Sequence, residues 1–293
     1  MKKSKILLFI FAVVFTGLIS CKAQTDFAEV NGTKLYYEIA GSGEPIVLIH
    51  GWSFDTRCWD TQFSEFSRNY RVVRYDLRGF GKSSLPETGK SYSHTDDLVA
   101  LLDYLGVKQA HILGHSFGGN IAIDFALKNP ERTITLILPD APPPIAGFIP
   151  SEQIMSWIGG TWKAGRDSGI KEAKEIWIKG APFAPAMQNP KSAPKLKQMI
   201  DDYSGWQWVN NDPYIGIPPY PPDILSKIQV PTLIIVGELD LPDYKNLADI
   251  QKKYIPNSKE VILSGAGHAL SIENPEEFNQ IVLSFLADVR DQK

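Results

Sequence analysis

Six short, largely apolar runs are spaced along the chain, and they restrict its fold more than any other feature. Ile46-Val47-Leu48-Ile49 is unbroken, the pattern of a strand buried on both faces. Residues 71–75, 110–113, 134–138, 232–236 and 260–263 read the same way. Between them, apolar residues recur at helical spacing: Trp59, Phe63 and Phe66; Leu98, Leu101, Leu102 and Leu105; Phe278, Ile281, Val282, Phe285 and Leu286. The last of these helices is expected to open on Asn274 as cap, with Pro275 in its first position. Strands alternating with helices imply an α/β fold, a mostly parallel central sheet flanked by helices. A hairpin comes first, because residues 27–30 and 33–40 flank Asn31-Gly32. The alternation stops between about residues 141 and 222. That stretch holds five of the seven tryptophans (Trp157, Trp162, Trp177, Trp206 and Trp208). It reads as a mainly helical cap insertion over the carboxyl ends of the strands, where such sheets bind ligands.

Where the third run gives way to a helical pattern, Gly114-His115-Ser116-Phe117-Gly118 forms a G-x-S-x-G sequence. This is the sharp turn that presents a serine hydroxyl at the end of a sheet. A serine is a weak nucleophile until a neighbouring base takes its proton. The base is a histidine, oriented by a carboxylate. In the chain order that goes with this turn, Asp240 follows the run at 232–236 and His268 the run at 260–263. Ser116, Asp240 and His268 are therefore the candidate catalytic residues. Asp140, which also ends an apolar run, is the rival acid, and Asp243 a weaker one. His50 reads as a structural residue bonding nearby backbone, and His115 as a flank of the turn or a substrate contact. His94 and His111 read as helix-cap and strand residues, and Asp76 and Arg78 as ties for a glycine-rich loop. Gly81-Lys82-Ser83 is not a phosphate loop, which needs glycine at 76, where Asp76 stands. No set of His, Cys and carboxylates has metal-ligand spacing, so neither a metal nor another cofactor is expected.

Several further segments extend this pattern: His50-Gly51-Trp52, Tyr75-Asp76-Leu77-Arg78-Gly79-Phe80-Gly81-Lys82-Ser83, Gly114 to Gly119, Gly237 to Asp240, and the glycine-rich loop around His268. Together they resemble the α/β-hydrolase family over most of residues 27–290. Within it the chain is similar to small esterases and cofactor-free haloperoxidase-like enzymes with a serine nucleophile. Ser116 disfavours the members with an aspartate nucleophile. The resemblance implies an oxyanion hole built from the backbone N–H groups of Trp52 and Phe117. The expected activity is hydrolysis of carboxylic esters of small to medium apolar molecules through an acyl-enzyme. The same triad could instead serve amide or aminoacyl, lactone, carbon–carbon or perhydrolysis substrates. A non-catalytic, lipid-anchored binding protein reusing the fold is the alternative from another class.

The formal net charge is −3, without a long block of like charge, so nucleic acid is not an expected partner. Lys2, Lys3 and Lys5 precede a 14-residue apolar run, Ile6 to Ile19, shorter than the ~20 residues of a membrane span. The run ends in Leu18-Ile19-Ser20-Cys21, which resembles the lipobox of bacterial lipoproteins. Residues 1–20 are thus expected to be a signal peptide, Cys21 to carry lipid, and 21–26 to be a short tether in a bacterial cell envelope. An ordinary secretory peptide or an uncleaved anchor is the other reading. Cleavage would take the charge to −6 and leave Cys58 the one unmodified thiol, packing as a small apolar residue.

Overall fold

A computed structural model describes residues 23–292, so the expected signal peptide and Cys21 lie outside the described residues. The strands are β1 (Gln24–Val30), β2 (Thr33–Ala40), β3 (Pro45–Ile49), β4 (Arg71–Tyr75), β5 (Ala110–Gly114), β6 (Thr133–Pro139), β7 (Thr232–Gly237) and β8 (Ser258–Leu263). They form one sheet in the order β1-β2-β4-β3-β5-β6-β7-β8. From β4 to β8 every neighbouring pair is parallel, whereas β2 runs antiparallel to both β1 and β4. Asn31 and Gly32 turn the hairpin with φ of +48° and +71°, the two positive values that match strand twist. Ile46, Val47, Leu48 and Ile49, read as doubly buried, have no exposed surface, but residues 260–263 depart from that reading: β8 is an edge strand, and Ile262 is 60% exposed.

β1 and β4 share a direction, and Gln24, paired with Ile39, lies level with Val73 halfway along β4. β1 begins three residues before the stretch at 27–30 suggested by sequence.

The helices are α1 (Asp60–Phe66), α2 (His94–Tyr104), α3 (Phe117–Lys128), α4 (Glu152–Ser168), α5 (Ile170–Ile178), α6 (Ala184–Gln188), α7 (Ala193–Asp202), α8 (Trp206–Val209), α9 (Pro242–Tyr254), α10 (Leu270–Glu273) and α11 (Pro275–Asp291). Among the described residues, none is long and apolar enough to cross a membrane. Helix α1 packs on α11, and α2 on α3. Two capping expectations change. Ser93, not His94, caps α2, its Oγ accepting the Asp96 N–H at 3.2 Å. Asn274 holds the cap position of α11, but its side chain accepts no helix N–H. Its amide donates instead to the Glu277 carboxylate (2.7 Å) and the Ser264 carbonyl (3.3 Å).

Helices α4 to α8 lie between β6 and β7 and form the cap. Long-range bonds join it to the sheet domain. The Trp177 indole donates to Ser53 Oγ (2.7 Å), Gln207 to the Gly79 carbonyl (3.3 Å), and the Ser151 N–H to Asp243 (2.6 Å).

Candidate active site

β5 ends in a turn that only small neighbours allow. A Cβ on Gly114 would lie 2.2 Å from the Gly118 carbonyl oxygen, and one on Gly118 2.4 Å from that of Ile49. Between them Ser116 takes φ +50° and ψ −118°, a region that strains an L-residue by about 1–3 kcal/mol and is held only by the surrounding structure. Two other strained non-glycine residues, Ser53 (φ +62°) and Asp140 (φ +43°), also follow strands at this edge of the sheet.

Across from the turn, the three candidate side chains meet. The Ser116 hydroxyl donates to His268 Nε2 at 2.9 Å, and His268 Nδ1–H donates to Asp240 Oδ2 at 2.8 Å. Asp240 and His268 are 4% exposed, so both bonds run through a medium that strengthens them. The other Asp240 oxygen accepts the Leu241 N–H at 2.7 Å. The loop bearing His268 is pinned from below, where the Glu273 carboxylate accepts the N–H groups of Gly267 and Ala269, both at 2.9 Å.

Asp140, the rival acid, does not hold the imidazole. One of its oxygens accepts the Gly237 N–H at 3.1 Å. Burial first, and the Asp240 charge second, push its carboxyl well above the usual carboxylate range. That environment disfavours its charged form. Asp243, the weaker rival, is spent on the Ser151 N–H.

The two N–H groups named from the resemblance are both without an acceptor among the described residues. Phe117 opens α3, where the first N–H groups have no partner in the helix and the dipole favours negative charge. The Trp52 N–H is aimed by His50. That ring, fully buried, donates from Nδ1 to the Gly51 carbonyl (2.8 Å) and accepts the Leu77 N–H at Nε2 (3.0 Å). In a trans peptide the N–H points opposite to the C=O, so holding the Gly51 carbonyl turns the Trp52 N–H the other way.

His115 does more than flank the turn. It is 1% exposed, and its Nε2–H donates to the main-chain carbonyl of His268 at 2.7 Å. A carbonyl only accepts, so the proton sits on Nε2. Burial, with His268 nearby, lowers its pKa to about 3 and keeps it neutral. His115 is thus a positioning residue for the imidazole beside it. His115→Phe is expected to cut kcat about 100-fold with little change in KM, the size of a roughly 1 Å misplacement. His115→Gln, which keeps a donor, should recover most of that loss in steady-state kinetics. The ligating atoms of His115, Asp140 and His268 lie within 4.8 Å of one another, a grouping that sequence spacing did not reveal. Both His268 nitrogens and Nε2 of His115 are already hydrogen-bonded, which leaves too few free donors for the usual three or four metal ligands.

The remaining singled-out residues are structural. Asp76 accepts the N–H groups of Thr56 and Lys82 at 2.7 and 2.8 Å, and Arg78 forks onto Asp97 at 2.6 and 2.9 Å. His111 bonds Thr135 Oγ1 inside the sheet (2.9 Å), and Cys58 is free and buried. His94 is walled by Tyr92, Phe117 and Tyr214, and burial, ahead of His50 and Arg78, lowers its pKa to about 3. Unfolding returns it to the ordinary 6.5, so the unfolded chain binds more protons and stability falls as pH drops from 6.5 toward 3. His94→Phe should therefore remove about 2 kcal/mol of the stability lost between roughly pH 7 and 5, as read by urea unfolding at both pH values.

Above the imidazole and hydroxyl lies a cavity of about 290 Å³, at the lower end of ligand pockets. Trp157, Trp162, Trp177 and Phe183 of the cap face Trp52, Phe54, Phe117 and Tyr244 of the sheet domain around it. Trp208 stands behind this wall, 1% exposed and edge-on to Trp162, and Trp206 is also outside the lining.

The sequence profile of the alpha/beta hydrolase family matches residues 46–281. The chain belongs to the alpha/beta hydrolase family. It is an enzyme, a hydrolase, rather than a binding protein that borrows the fold. This hydrolase is 28% identical to the carboxylesterase YbfK of Bacillus subtilis over 257 residues, 82% of this chain and 79% of that protein. It is 29% identical to a 2-hydroxy-6-oxononadienedioate/2-hydroxy-6-oxononatrienedioate hydrolase of Pseudomonas putida, across 86% of this chain and 91% of that one. Among solved structures, the enol-lactonase from Burkholderia xenovorans LB400 matches with a TM-score of 0.76 at 26% identity, over 89% of this chain and 100% of its own.

Proposed function

We propose that this hydrolase cleaves carboxylic esters of small to medium apolar molecules through an acyl-enzyme on Ser116. The observation that carries the reading is the imidazole of His268, bonded at one nitrogen to a strained serine hydroxyl and at the other to a buried carboxylate. His268 takes the serine proton as Oγ attacks the carbonyl carbon. The N–H groups of Trp52 and Phe117 then receive the oxyanion, each such donor contributing about 2.7–4 kcal/mol in comparable sites. His268 returns the proton to the departing alcohol. Water, activated by the same ring, releases the acid. Asp240 holds the ring and stabilises its cation. The likeness to a named carboxylesterase supports the ester bond; the likeness to an enol-lactonase supports a cyclic ester as a second substrate form. A fluorophosphonate probe tests the reading directly: one adduct is expected, on Ser116, with parallel loss of short aryl-ester hydrolysis.

For the segment ahead of the described residues, we infer cleavage before Cys21 and lipid on its thiol and amino group, placing the enzyme at a bacterial membrane surface. Mass spectrometry of the mature amino terminus tests it, and an unmodified Cys21 overturns it.

A further inference from the structure

Building on the ester-hydrolase reading, we propose that the pocket sorts substrates by charge: uncharged and quaternary-ammonium esters enter, and carboxylate-bearing ones are turned away. No Lys, Arg, Asp or Glu is among the residues that line the cavity. Its polar groups are chiefly the Ser116 hydroxyl, the His115 and His268 rings and the Asn120 amide. Asn120 donates to the Pro142 carbonyl at 3.2 Å.

Cations close in sequence to the lining are committed elsewhere, and Lys163, beside Trp162, pairs with Asp167. Lys245, beside Tyr244, donates to the Glu238 carbonyl (2.6 Å), and Arg57, past Phe54, pairs with Asp55 (2.6 Å) and Asp202 (2.7 Å). A substrate carboxylate would therefore shed its water without finding a partner, the costliest way to bury a charge.

What lies behind the imidazole has the same sign. Asp240 and Glu273 are both buried, and they are met by His268 and by backbone N–H groups rather than by Lys or Arg. Neither group offers a counter-charge to a substrate anion. A bulky cation finds the opposite conditions, since the faces of Trp and Phe rings attract desolvated ammonium groups. The Pseudomonas putida relative, named for dioate substrates, marks the contrast: a dicarboxylate has no counter-charge among these lining residues.

The test uses three butanoate esters of matched length, tailed with tert-butyl, trimethylammonium or carboxylate. The first two should be hydrolysed with kcat/KM within about tenfold of each other, and the third at least about 100-fold more slowly. Ile158, 38% exposed at the pocket wall, offers a gain of function. Ile158→Arg should raise kcat/KM for the carboxylate ester at least about tenfold, by supplying the missing fork. Comparable wild-type turnover of the carboxylate and tert-butyl esters overturns the proposal, as does a trimethylammonium ester as slow as the carboxylate one. Failure of the triad reading shows separately, as absence of a fluorophosphonate adduct together with loss of all three activities. The proposal is still decided in that event by tryptophan quenching of Ser116→Ala. Equal affinity for the carboxylate and tert-butyl esters sinks it, and selective binding of the tert-butyl ester sustains it.

Discussion

Ser116→Ala is expected to lower kcat on a short aryl ester by about 10⁴- to 10⁶-fold, leaving only the contribution of the oxyanion donors and binding. The thermal midpoint should stay close to that of the parent, because alanine removes one hydroxyl whose bond partner, His268, remains tied to Asp240. Alanine also inherits the +50° φ at this position, so the variant does not relax the turn. The fluorophosphonate adduct should vanish with the activity. Turnover within tenfold of the parent would mean that the proton is taken from some other nucleophile.

Asp240→Asn should cost about 10⁴-fold in kcat, the size expected when an amide replaces the carboxylate that fixes the imidazole tautomer. An asparagine can present its NH₂ to Nδ1. The ring must then carry its proton on Nε2, where it can no longer accept from Ser116. Asp140→Asn supplies the control. Burial disfavours its charged form and it does not touch the imidazole, so a neutral isostere should leave kcat within a few-fold while still accepting the Gly237 N–H. If the two variants exchanged effects, Asp140 would be the working acid. Initial-rate kinetics on one aryl ester are enough to tell these outcomes apart.

The architecture was readable where a physical rule acts locally. Ile46 to Ile49 can be apolar throughout only if both faces of the strand are covered, and they are. The turn at Ser116 was readable for a similar reason, since its glycines are required by backbone oxygens little more than 2 Å from where a Cβ would stand. The positions of Asp240 and His268 just beyond strands could be anticipated because parallel strands deliver their following loops to one edge. What escaped the sequence depends on contacts between distant residues. The bond from His115 to the His268 carbonyl spans 153 positions, and that from Trp177 to Ser53 spans 124. No local pattern marks either pair. Likewise the tryptophan-rich composition pointed to the cap, but the rotation of each helix decided that Trp157, Trp162 and Trp177 face the cavity and Trp208 does not. Asn274 illustrates a mixed case: the residue type suits a helix start, while Glu277 and Ser264 compete successfully for its amide.

The direction of β1 has a practical consequence. Gln24 lies level with Val73, halfway along β4, and from there β1 runs toward the edge that carries the catalytic candidates. A resin or fusion partner joined at Gln24 meets the sheet at its margin strand, at the far end of the strand order from β7 and β8, whose following loops carry Asp240 and His268. Immobilisation by that end is therefore expected to leave ester turnover close to that of the free enzyme.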